Sequence, residues 1–76
     1  MGKPFINLKI VDKNGRTVKK VASRKTKRIF NLIKAEKNKD RVFSVSVNYG
    51  QGFKNKGEYR NKKELIHALR AFLEND

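Results

Sequence analysis

Two helices packed on one face of a three- to four-stranded, mainly antiparallel sheet, connected in the order ββαββα, is the α+β fold this sequence predicts. Three observations predict it. Apolar and polar residues alternate from Phe5 to Val11 and again over residues 41–49, the period of a half-buried strand. Apolar residues recur at helical spacing at Ile29, Leu32 and Ile33 and at Leu65, Ile66, Leu69, Phe72 and Leu73. Turn and cap residues separate these stretches, and with no repeat or low-complexity tract, residues 1–76 read as a single small basic domain.

The first alternating stretch runs into Asp12-Lys13-Asn14-Gly15, a tight-turn signature, and residues 16–22 return as its hairpin partner. A two-residue Asn14-Gly15 turn would pair Lys13 with Arg16. A three-residue loop with Gly15 in a bulge pairs Asp12 with Arg16 and is preferred, because it sets Ile6, Leu8, Ile10, Val18 and Ala22 on one face. Ser23 is placed to cap a helix over about residues 24–37, with Ile29, Leu32 and Ile33 as its apolar stripe and Phe30 at the margin. The strand over residues 41–49 points Phe43, Val45, Val47 and Tyr49 to one side. Gly50, Gly52 and Gly57 then predict a long loop, with only a short returning strand at residues 58–60. Asn61 and Glu64 resemble a capping box, with Asn in place of Ser or Thr, at the start of a helix reaching about Glu74.

A chain of 76 residues has a thin core, burying only about 60% of the surface it exposes when unfolded. Zero cysteines remove disulfides, thiolate zinc sites and thiol catalysis, and a single histidine cannot build an imidazole metal site. No metal and no cofactor is therefore expected. No apolar run approaches the length of a signal sequence core or a membrane span, so no membrane partner is expected and an intracellular protein, cytoplasmic or nucleoid-associated, is.

Charge is the main functional signal. The formal net charge is +13, and between Asp12 and Glu36 nine basic residues occur with no acid among them. Ordinary solvated surfaces mix both signs, so this block points to a polyanion. At 100° per residue, Arg24, Lys27, Arg28, Asn31 and Lys34 fall on the side of the first helix away from Ile29, where they can replace counterions along a phosphate backbone. Lys13, Arg16, Lys19 and Lys20 of the hairpin are expected to add to them. In the glycine-rich segment, Gln51, Phe53, Lys54, Asn55 and Lys56 mix an aromatic ring, amides and lysines, a composition suited to groove entry or stacking on bases. Phe53 has two readings, a stacking ring or a ring folded onto the core. Gln51, Asn55 and Lys54 are the expected base-edge contacts, since an amide pairs naturally with adenine.

The sheet face away from the helices is expected to carry Phe5, Asn7, Lys9, Val11, Thr17, Lys19, Val21, Val42, Ser44, Ser46 and Asn48. Half-apolar, it suits a homodimer seam, a protein partner or a nucleic-acid platform. A stacking platform wants two or three aromatics, and only Phe5 falls there.

Catalysis finds no support. His67 reads as an exposed helix residue, and outside turn, cap and chain-end positions only Glu36, Asp40 and Glu58 remain as carboxylates, on three separate elements. Gly50-x-Gly52 has Asn55 where a dinucleotide fingerprint needs glycine, and Gly57 is followed by Glu58 and Tyr59 where a phosphate-binding loop needs Lys and Ser or Thr. Gly52-Phe53-Lys54 and the run from Glu58 to Leu65 are similar to the strand-into-helix end of small sheet domains at the N-terminus of phage-type integrases. The chain departs from that pattern by setting a long helix between its strand pairs. The resemblance implies the sheet and its loops as the DNA-facing surface, whereas the charge pattern points to the first helix.

The expected function is non-catalytic nucleic-acid binding, with duplex DNA first and RNA second. The alternative is a small inhibitor or adaptor that docks its basic side on an acidic protein.

Overall fold

The computed structural model describes residues 4–74 and has the expected order: β1 (Phe5–Val11), β2 (Thr17–Ser23), α1 (Thr26–Ala35), β3 (Val42–Asn48), β4 (Phe53–Tyr59) and α2 (Lys62–Glu74). The four strands form one open antiparallel sheet in the order β2-β1-β3-β4. Two hairpins thus lie side by side, joined through β1 and β3 in seven residue pairs from Phe5↔Asn48 to Val11↔Val42. Their turns fall at opposite ends of the sheet. Among the described residues no helix is long and apolar enough to cross a membrane.

Both helices cover one face. Ile6, Leu8 and Ile10 of β1 and Phe43, Val45 and Val47 of β3 are buried in one cluster with Ile29 and Ile33 of α1 and Leu65 and Leu69 of α2. That layer is one side chain deep on each side, as a chain this short dictates. Around α1 the stripe is rotated from its expected position. Phe30 packs against the core, while Leu32 turns to a groove beside β2.

The first turn is the expected three-residue loop. Asp12 N donates to Arg16 O at 2.9 Å, Gly15 N donates to Asp12 O at 3.0 Å, and Gly15 takes φ +82°, a conformation that suits glycine. Asp12 Oδ1 also accepts from the N–H groups of Asn14 and Arg16, both at 2.9 Å, so this carboxylate is spent on the turn.

Beyond the turn the expected register fails. Val11 faces Thr17, but a bulge follows and Ile10 faces Lys19, Lys9 faces Lys20 and Leu8 faces Val21. Without the bulge Lys20 would oppose Leu8 on the core face. One extra residue replaces that lysine with Val21, which packs against the core opposite Leu8, and moves the lysine of this face to Lys19, which stays exposed opposite Ile10. Val18, expected inside, is 46% exposed, and Ala22 moves to the open face while Lys19 and Val21 leave it.

Strand β4 repeats the device. Its pairing slips between Val45 and Ser46, so that Gly57 rather than Lys56 opposes Val45, and Tyr59 rather than Glu58 opposes Phe43. Gly57 takes φ +108° there, so this glycine shapes a bulge inside a strand and does not end a loop. The expected long loop is in fact a tight turn over residues 49–52. Asn48 Oδ1 closes it by accepting from Gly50 N at 2.7 Å and Gly52 N at 3.2 Å.

The helix starts also differ from each other. Asn61 Oδ1 accepts from Lys63 N at 2.8 Å, an N-cap for α2 as expected. Ser23 does not cap α1. Its Oγ accepts from Lys25 N at 3.0 Å in a local turn, and α1 begins two residues later than expected, with Lys25 at the N-cap.

Candidate nucleic-acid interface

Strand β2 is an edge strand, and α1 runs back beside it without covering it. The space between them is a groove lined by Lys19, Lys20, Lys25, Lys27, Arg28 and Asn31, with Val21 and Leu32 at its base. Hairpin and helix therefore present their cations on one surface. Among the described residues none of them has an acidic partner. The one ion pair among the described residues joins Arg41 Nε to Glu36 Oε1 at 3.8 Å, outside this groove. Such a row of unneutralised ammonium and guanidinium groups is held by a rigid helix and strand, and it carries the chemistry of phosphate contact.

The open face of the sheet adds a second, adjoining surface. Phe5, Asn7, Lys9 and Val11 lie on it beside Val42, Ser44, Ser46 and Asn48, as expected. From β4 the register adds Phe53, opposite Asn48, and Asn55, opposite Ser46. Phe53 is neither in a loop nor folded onto the core. It opens β4, is 49% exposed, and sets its ring edge-to-face on Phe5, with centroids 5.9 Å apart and planes at 72°. Arg24, expected on the helix face, precedes α1 and stacks its guanidinium over the Phe5 ring at 5.2 Å. On the same face Lys9 directly opposes Lys20, a like-charged cross-strand pair that costs stability in the free protein.

Of the remaining candidates only Asn55 lies on one of these surfaces. Lys13 lines a cleft at the first turn with Asp12, Asp40, Arg41, Glu58 and Arg60, where the signs are mixed. Arg16 closes that same turn, at the opposite end of the sheet from Phe53. Lys34 is exposed near the end of α1 but does not line the groove. Gln51 is exposed in the β3–β4 turn. Lys54 faces the helix side opposite Val47, at the far edge of the sheet from β2. Lys56 is the bulged residue, with its ammonium 5.9 Å from the Tyr49 ring centroid and 5.4 Å from that of Phe72. Asn55 Oδ1 accepts from Gly57 N at 2.8 Å, so its amide is tied to the bulge of β4.

Lys9 and Lys25 belong to these surfaces although the sequence did not single them out as contacts. Lys9 was expected on the open face, from its alternation with Phe5 and Asn7. Lys25 had only its place in the acid-free basic block, because it lies just before the helix.

No protein-family model matches this chain, and neither does any curated protein or solved structure.

Proposed function

We propose that this protein binds nucleic acid without catalysing a reaction on it, holding the phosphate backbone in the cationic groove between β2 and α1. The observation that supports this reading is the row Lys19, Lys20, Lys25, Lys27 and Arg28 along one groove with no acid on its lining. A formal net charge of +13 adds long-range attraction to any polyanion. Duplex DNA and RNA both offer the required phosphates.

Affinity then follows counterion release. Engagement of about five phosphates gives a log–log salt slope near −4.5 on a duplex and near −3.5 on a single strand. Fluorescence anisotropy of labelled duplex DNA, single-stranded DNA and an RNA hairpin across a salt series measures it. The combined change Lys27→Glu and Arg28→Glu, at two exposed helix positions, is expected to flatten the slope by about two and to weaken binding to all three. A folded double variant with unchanged affinity and slope would sink the proposal.

A further inference from the structure

The groove accounts for phosphates, but it leaves the aromatic end of the open sheet face unexplained. We infer that this end, where Phe5, Phe53 and Arg24 meet, receives unstacked bases, so that the preferred ligand is a single strand. This rests on the nucleic-acid reading above and specifies its ligand.

Three observations carry it. First, both helices lie on the other side of the sheet, and the ring of Phe53, touched edge-to-face by Phe5, stays 49% exposed. An aromatic ring standing open on a rigid strand offers its π-face to any base, and only a base out of its duplex stack can take it. Second, the Arg24 guanidinium sits over Phe5, 5.2 Å from its ring centroid, so the neighbouring ring carries a planar cation of a kind that also stacks on bases. Third, the cluster is continuous with the phosphate groove. Arg24 is followed by Lys25, which lines that groove, and Lys20 both lines it and faces Lys9 across the open side. A backbone following the β2 edge thereby brings its bases over the sheet.

Polar groups fit the same occupant. Asn7, next to Phe5 on this face, has its side-chain oxygen buried with no hydrogen-bond partner. A base donor that reaches this oxygen would supply its missing hydrogen bond. The positive charge of Arg24 at the rings and of Lys9 and Lys20 farther along the same face favours a polyanion over a second copy of this equally basic chain.

The test uses the full chain with oligo-dT, oligo-rU and a duplex of comparable length, about 12 nucleotides each. Phe53→Trp supplies the chain's only tryptophan. Its emission is expected to be quenched by oligo-dT or oligo-rU and not by the duplex, and the stronger of the two identifies DNA or RNA as the source of the strand. Phe53→Leu keeps an apolar residue and removes the stacking face. It should retain the thermal midpoint and the salt slope while weakening single-strand binding about tenfold, with duplex affinity unchanged. Wild-type single-strand affinity in Phe53→Leu, or unquenched tryptophan in a complex that anisotropy shows to be saturated, would overturn the inference and leave the groove reading standing. So would a wild-type dimer in sedimentation that Phe53→Leu dissolves. Absence of binding to all three probes would remove both.

Discussion

Lys9 and Lys20 show what single residues contribute here. Directly opposed across β1 and β2, they repel, at a cost of about 0.2–1 kcal/mol in the free protein. A phosphate bound between or beside them would relieve that cost, so the same change should move stability and binding in opposite directions. Lys20→Glu is expected to raise the urea midpoint, by roughly 0.5–1 kcal/mol of stability, and to lower affinity for oligo-dT. Chemical denaturation and anisotropy on one preparation check both signs, and a loss of stability would show that Lys20 has a structural role beyond its charge. Asp12, Asn48 and Asn61 are residues of another kind. Each is committed to backbone N–H groups of a turn or helix start, which removes it from the chemistry of any site.

At the scale of the element, the two edge strands are governed by their bulges. In β4 one extra residue sets Tyr59 in place of Glu58 opposite Phe43, and in β2 one sets Val21 in place of Lys20 opposite Leu8 while Lys19 takes the place of Val18 opposite Ile10. The bulges and the lysines on both edges also interrupt the row of free backbone groups that would otherwise pair with another sheet. The bulge in β2 has a measurable signature. Val21→Ala should cost about 1–2 kcal/mol, because Val21 packs against the core, whereas Val18→Ala at a half-exposed position should stay within about 0.5 kcal/mol. The unbulged hairpin predicts the reverse order, so urea unfolding of the two variants decides the register.

For the whole molecule, the balance is between a thin core and strong self-repulsion. Ten buried apolar residues hold a body of 37 × 21 × 18 Å that carries a formal net charge of +13. Chloride salt shortens the screening length from about 10 Å at 0.1 M to about 3 Å at 1 M, which weakens the repulsion and leaves the core intact. The thermal midpoint should therefore climb by several degrees over that range, given roughly 4–8 °C per kcal/mol for a domain of this size. On the proposed function salt should act in opposite directions on stability and on nucleic-acid affinity, and calorimetry beside the anisotropy series would show both. A midpoint that falls with salt would mean that attractive pairs dominate the charge network.

The sequence alone determined the element order, the antiparallel pairing, the three-residue first turn and the inner faces of β1 and β3. These follow from local rules, since period, cap and turn residues act within a few positions of one another. It also determined the charge and the grouping of Lys27, Arg28 and Asn31, because helical geometry alone sets residues three and four apart on one face. Only the tertiary structure decided which other side chains join them. A bulge adds one residue and inverts every position after it, so Lys19, Val21 and Ala22 exchanged faces and Val21 packs against the core opposite Leu8. The meeting of Phe5 with Phe53 and Arg24 spans three strands and a helix entry. Contacts that far apart in the chain arise from packing the core, and the aromatic end of the open face was legible only once that packing was complete.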